Sequence, residues 1–506
     1  MSEAKTYLGQ KGYSIYKDKI SVSEQQWLRD ELTVAPYIPK SVMSYSGDSK
    51  FPIYRESQKK IYVPRYFGIN TFGVPDEVKI NEPLKINIPF KGELRDYQKD
   101  IVETYMNNLD NGGGLLEIPC GRGKTVMGLK IASQLGLKTL VIVHKTFLAD
   151  QWIERIEQFL PDAKVGRIQG QIIDVENKDI VIGMLQSLSM KDYPHSLFKD
   201  FGLTIVDEVH HIAAEVFVRS LFQIVTKYVL GLSATMQRKD GLTKVFKMFL
   251  GDIIYKEKSK ENQSVQVRIY DYITQDEEFN EMKYDFRGNI AYSTMMTKLC
   301  NYNPRRDFII KIIKDLIAEN PQQQIIVLGH YKNLLTYLYK AVEHHNIGTV
   351  GYYVGGMKKE ALKHSESKQI IIATYAMASE ALDIKTLTTL VMATPKTDVT
   401  QSIGRILRTK HMRPIVVDVV DNHEVFRRQS SKRIQYYGKL GYQIQRSSNI
   451  NYGNFQEITT KKKQSRSKTK KTNNDITVED IVNKVENPMK GKCLININNL
   501  NIDEQC

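Results

Sequence analysis

The chain has 506 residues, 41% of them hydrophobic, which supports roughly three domain cores and excludes a single compact domain. Its four cysteines, Cys120, Cys300, Cys493 and Cys506, form no C-x-x-C pair, so neither a zinc ribbon nor a disulfide framework is indicated and a reducing compartment is expected. The net charge of +15 suits a polyanionic partner, but KKKQSRSKTKK at 461–471 carries seven of those positives and the rest of the chain holds only +8.

In chain order, the amino terminus is polar and without a signal-peptide pattern, and no apolar run reaches the ~20 residues of a membrane span, so a soluble intracellular protein is expected. Residues 1–90 contain Pro- and Tyr-rich text such as FPIYRESQKKIYVPRYFGI and read as a small accessory domain, with nucleic-acid sensing as its expected role. From about 113 the runs GGLLEI, TLVIVH, DIVIGM, LTIVD and YVLGLSAT alternate with helical-length segments. Continuous apolarity predicts strands buried on both faces, hence a parallel sheet covered by helices. The theme restarts at about 324 with QIIVLGH, VGYYVGG, QIIIATYA, TLVMATP and PIVVDVVD. The boundaries expected are a first lobe at 91–255, a linker at 256–300 with one strand in VQVRIYDY, a second lobe at 301–445, and a basic, disordered tail at 446–506.

EIPCGRGKT at 117–125 follows a strand and opens a helix, the arrangement that binds phosphate through free N–H groups and the positive end of the helix dipole. Gly121 and Gly123 let the backbone approach the anion, Pro119, Cys120 and Arg122 complete the loop, Lys124 reaches the β- and γ-phosphates of ATP, and Thr125 holds Mg²⁺. Ile118 stands where the strict motif has glycine. LTIVDEVHH, at 203–211, places Asp207 at the end of a buried strand, where ligands of parallel sheets gather. Asp207 then holds the magnesium and Glu208 activates the attacking water. A metal cluster with His210 and His211 is the alternative, but adjacent histidines point apart, whereas zinc motifs of this kind want them four residues apart. His210 is expected to couple the γ-phosphate to the neighbouring lobe, and His211 to pack.

LRDYQ, PCGRGKT, HKTFLADQW, DEVHH, SAT, ATYAMASEALDI and QSIGRILR occur in the order found in superfamily 2 helicases. Over about 91–445 the chain resembles the DEVH-box branch, with the transcription-repair helicases, the transcript-release DNA helicases of poxviruses and related helicases of large DNA viruses. The resemblance implies an α/β fold with two tandem RecA-like lobes. It implies that Gln98 with Arg95 reads adenine, that Ser233 and Thr235 link hydrolysis to strand movement, and that Arg405 and Arg408, at i and i+3 with Gln401 nearby, act as arginine fingers. Asp383, Thr374 and Glu380 carry over from the fifth motif, where Ala381 replaces a common glycine. Lys145, Thr146, Gln186 and Ser187, in first turns after strands, are candidates for nucleic-acid phosphates.

The function expected is an ATP-dependent helicase or translocase on duplex DNA or DNA–RNA hybrid, in viral transcription or repair. An RNA helicase is the nearest alternative, and an ATP-switched remodelling factor that separates no strands is another. A nuclease motor lacks a separate paired-acid motif. The partners expected are DNA or RNA and the transcription machinery, with no membrane. The cytoplasm or nucleus of a host cell is the expected location, and packaging into the virion follows from resemblance alone.

Overall fold

The apolar runs between 113 and 233 become parallel strands because each is buried on both faces: Gly113–Glu117, Thr139–Val143, Ile180–Met184, Leu203–Asp207 and Tyr228–Ser233. The computed structural model describes residues 5–36, 50–119, 121–209, 214–236, 241–257, 265–380, 384, 386–406 and 414–458, with the backbone alone at 379, 380, 401, 405 and 406. Among these, the first lobe is an eight-stranded sheet in the order 172–174, 165–169, 180–184, 139–143, 203–207, 228–233, 113–117, 253–256. Only the 165–169 and 172–174 pair is antiparallel. Helices close both faces. Thr146–Phe159 buries Leu148, Ala149, Trp152 and Ile156, a stripe at helical spacing. Lys124–Leu135 ends at Gly136, whose φ of 60° supplies the left-handed cap.

The second lobe repeats the plan in the order 350–353, 370–374, 324–329, 387–392, 415–421, 266–272, 443–448, 456–457, with only the last pair antiparallel. The structure differs here from the sequence-based boundaries. Gln266–Tyr272, expected inside a linker, lies between Ile415–Asp421 and Gln443–Ser448, so residues ahead of 301 belong to this sheet. Gln443–Ser448 also crosses the expected tail boundary. Both strands mix polar with apolar residues, which hides them from a search for continuous apolar runs. The tail from 459 onward, with its basic run, lies outside the described residues.

The amino-terminal residues form a five-stranded sheet in the order 55–56, 60–63, 12–16, 6–9, 77–78, with helices Val22–Glu31 and Arg65–Phe72. The second of these helices packs close, since a Cβ on Gly68 would stand 2.2 Å from the Tyr13 ring. Leu8, Tyr13, Ile15 and Val63 share one apolar cluster with Leu115, Val206, Phe217 and Phe246 of the first lobe. Arg65 donates to the Lys227 carbonyl at 2.8 Å across the same junction. The accessory region and the first lobe therefore share a core.

Candidate ATP site

The phosphate-type loop leaves the strand Gly113–Glu117, between Tyr228–Ser233 and the edge strand Ile253–Lys256, and enters the helix Lys124–Leu135. Ile118 is fully buried and its N–H bonds the Ser233 carbonyl at 2.8 Å, so position 118 still belongs to the sheet and the turn begins later than in the strict motif. Gly121 and Gly123 have φ of 79° and 81°, a left-handed backbone that other residues adopt only under strain. A Cβ at 123 would also meet the Gln98 amide nitrogen at 2.4 Å. Gln98 is buried and does two things at once. Its Nε2 donates to the Arg122 carbonyl at 3.0 Å, and its Oε1 accepts from the Arg95 N–H at 3.0 Å, closing the amino end of Asp96–Met106. The proposed adenine reader thus grips the loop itself. Arg122 stacks 3.7 Å from the Tyr97 ring centroid and pairs with Glu257 at 2.5 Å.

Lys124 opens the helix with its Nζ 3.2 Å from Glu208 Oε1, both side chains largely buried. Thr125 follows in the first turn and Pro119 precedes the glycines. Cys120 lies outside the described residues. Asp207, the last residue of Leu203–Asp207, is 5% exposed. Its Oδ2 accepts from the Trp152 indole N–H at 2.9 Å and its Oδ1 from the Glu208 N–H at 2.9 Å. Burial pushes this carboxyl up to about 6; the neighbouring Glu208 adds to the rise, and Lys124 opposes it. Glu208 itself has a φ of 50°, left-handed for a residue with a side chain. His210 and His211 lie outside the described residues, and among those described no cluster of three or more His, Cys, Asp or Glu suits a metal.

Register brings the remaining first-lobe residues alongside. Leu232 pairs with Asp207 and Ser233 with Glu117, so three strand ends meet at one edge. Ser233 is buried and donates to the Thr235 carbonyl at 2.7 Å, folding the chain back after the strand. The chemistry of this edge fits Mg-ATP. A glycine cradle faces an anion, the lysine lies against a carboxylate where a phosphate would compete for it, and a buried acid contacts only neutral donors directly. Trp152, Tyr97 and Glu257 were not singled out from the sequence. Trp152 stands 55 positions before Asp207, and only its place in HKTFLADQW hinted at a role.

The nucleic-acid candidates of the first lobe lie together. Lys145 caps Thr146–Phe159, and Gln186 Nε2 donates to the adjacent His144 carbonyl at 2.8 Å. Ser187 accepts from the Gly170 N–H at 2.9 Å. In the second lobe Thr374 ends Ile370–Thr374. Gln401 and Arg405 lie on Thr400–Ile406, while Asp383 and Arg408 fall outside the described residues. Two buried pairs sit on the same sheet: Arg433 grips Asp418 at 2.7 and 2.9 Å, and Arg305 grips Asp421 at 2.5 and 2.9 Å.

Residues 91–238 match the family described as the type III restriction enzyme, res subunit. A putative ATP-dependent RNA helicase of Acanthamoeba polyphaga mimivirus is 37% identical over 455 residues, which cover 87% of each chain. A putative helicase of Invertebrate iridescent virus 6 is 27% identical, covering 73% of this chain and 87% of its own. A DNA 3'-5' translocase of Sulfurisphaera tokodaii is 26% identical, covering 73% and 92%. Among solved structures, the match to T4 UvsW covers 88% of this chain and 99% of that one at 18% identity, with a TM-score of 0.36.

Proposed function

Because this chain belongs to the superfamily 2 helicases, which hydrolyse ATP and bind nucleic acid, we propose that it moves along or opens duplex DNA or DNA–RNA hybrid during viral transcription or repair. The observation that supports the motor chemistry best is the Lys124–Glu208 pair at 3.2 Å beside buried Asp207. In this reading Lys124, Thr125 and the N–H groups behind Gly121 and Gly123 receive the phosphates. Asp207, directly or through water, and Thr125 hold magnesium, and Glu208 takes the proton of the attacking water. ATP with its magnesium supplies the bond whose cleavage drives the cycle. Trp152 keeps Asp207 aimed through its indole N–H, a neutral donor that fixes one carboxylate oxygen and leaves the charge in place. Arg405 and Arg408 supply positive charge from the second lobe, and Gln401 and Asp383 are assigned to the same ATP site by their motifs. His210, Ser233 and Thr235 carry the change to the nucleic-acid residues Lys145, Thr146, Gln186, Ser187 and Thr374.

The DEVH motif and the relative named as a DNA translocase favour DNA. The mimivirus relative carries an RNA helicase name, which keeps RNA as the second reading. ATP turnover is compared on double-stranded, forked and single-stranded DNA and on RNA of equal length at one salt concentration, together with displacement of a labelled strand. Greater stimulation by duplex or forked DNA with displacement is expected. Stimulation by RNA alone moves the chain to the RNA helicases, and stimulation without displacement supports the remodelling factor. No helix among the described residues is long and apolar enough to cross a membrane. We place the protein with the transcription machinery in the host cytoplasm or nucleus, and in the virion. Immunoblotting of purified particles tests the last of these.

A further inference from the structure

The amino-terminal sheet commits only one face to the shared core. Leu8, Tyr13, Ile15, Ile61 and Val63 point inward and are at most 3% exposed. Alternate residues point the other way. The register places Arg55, Tyr62, Ser14 and Tyr7 in one row across four strands, and Tyr16 opposite Lys60 in another. Of the first row Ser14 is fully buried, Tyr62 is 9% exposed and Arg55 lies over Phe222 of the first lobe, so the open part of the face is Tyr7 and Tyr16 with the lysines around them. Tyr7, Tyr16 and Lys60 keep partial exposure, while Lys11 and Lys79 are exposed.

Cations lie over the rings. Lys60 Nζ stands 4.6 Å from the Tyr16 centroid and 4.8 Å from that of Tyr7, and it donates to the Tyr7 hydroxyl at 3.1 Å. Lys79 Nζ is 4.7 Å from the Tyr7 centroid, and Lys11 Nζ 5.4 Å from that of Tyr62. Lys11 and Lys79 are exposed, so they reach these rings from the solvent side. Nucleobases stack on such faces, and a lysine on its flexible stem can shift from the ring to the phosphate beside a stacked base. The charge agrees: residues 5–36 and 50–80 hold eleven Lys and Arg against seven Asp and Glu. Of the acids near the face, Glu77 pairs with Lys79 and Glu56 with Lys17 and Arg29.

We propose that this outer face binds a single-stranded segment of nucleic acid, with bases on Tyr7 and Tyr16 and phosphates on Lys60, Lys79 and Lys11. The inference rests on the helicase reading and alters the role expected of the region. The sequence suggested nucleic-acid sensing without a strand state, whereas stacking on a ring requires a base free of its own stack.

The test uses the full chain, with an oligothymidylate of about 20 nucleotides and a blunt duplex of equal length. Tyr7→Ala with Tyr16→Ala should weaken binding of the single strand roughly tenfold to a hundredfold, with duplex binding and nucleic-acid-free ATP hydrolysis unchanged. Tyr7→Phe with Tyr16→Phe should retain the affinity, because the ring and not the hydroxyl stacks. Photo-crosslinking of the wild type to 5-iodouracil oligonucleotides should map to Tyr7 or Tyr16. Should the alanine variant misfold, Lys11→Met with Lys60→Met and Lys79→Met provides the second reading. Neutralising three cations should flatten the single-strand salt slope by about 2, at about 0.7 for each phosphate contact. Unchanged affinity and slope with crosslinks elsewhere overturn the proposal, as does an equal loss on the blunt duplex. A wild type that no nucleic acid stimulates would instead sink the helicase reading.

Discussion

Asp207 in the first lobe and Asp421 in the second occupy equivalent places, each the last residue of a strand buried in a parallel sheet. Their company differs. Asp421 receives two bonds from the fully buried Arg305 guanidinium, and Asp418, three residues earlier, receives two from Arg433. Asp207 receives bonds from an indole and a backbone N–H, with Lys124 pairing instead to Glu208. The second lobe balances its buried charges internally, so those acids serve structure. The first lobe leaves Asp207 short of positive charge, and burial raises its pKa to about 6. An acid in that condition is suited to a cation from outside.

The largest effects should fall on chemistry. Glu208→Gln is expected to bind ATP yet turn it over roughly 10² to 10⁴ times more slowly, the usual contribution of a general base, and Lys124→Ala should be as slow or slower. Single-turnover hydrolysis measures both, and normal turnover in Glu208→Gln would remove the functional half of the comparison. Next comes stability. Arg305→Met strands Asp421 in the core and should cost about 3 to 5 kcal/mol, read from urea unfolding. Asp207→Asn should cost far less, and equal losses would show that the two acids are not in different states.

A third test uses pH on the nucleotide-free protein. Asp207 has a folded pKa of about 6, above its unfolded value of roughly 3.9. Its contribution is therefore fully present below the unfolded value and is lost as pH rises through about 6. Unfolding free energy measured across that window should fall on the order of 2 kcal/mol more in the wild type than in Asp207→Asn. Parallel curves would contradict the account of Asp207. The smallest effect expected is that of Trp152→Phe, which keeps the ring packing and deletes one donor. It should cost about 1 kcal/mol and shift the Asp207 window upward. No shift would mean that the indole bond does not tune the acid.

The central strands were legible because burial on both faces writes itself as unbroken β-branched text, as in TLVIV and LTIVD. Gln266–Tyr272 and Gln443–Ser448 were placed in a linker and across a tail boundary because they carry polar residues through the sheet. Lys124, Asp207 and Glu208 could be read as one site because the loop and the strand end each announce a ligand chemistry. That Gln98 holds the loop, that Trp152 holds Asp207 and that Arg122 lies between Tyr97 and Glu257 could not be read. These contacts join residues 24 to 135 positions apart, and no local pattern encodes them. Of the tyrosine and lysine face only Lys60 lies in the Pro- and Tyr-rich text; Tyr7, Lys11, Tyr16 and Lys79 come from elsewhere in the chain, and joining them required the register.

The left-handed backbone of Glu208 has an evolutionary consequence. Residues with a Cβ hold that conformation at a cost of about 1 to 2 kcal/mol, while glycine holds it freely and asparagine nearly so. Selection for a sturdier protein alone would therefore erode position 208 toward glycine or asparagine, and each such step would discard the carboxylate. A library sorted for heat resistance and then for ATP turnover should split at this residue, with survivors of the first sort enriched in precisely the changes absent from the second.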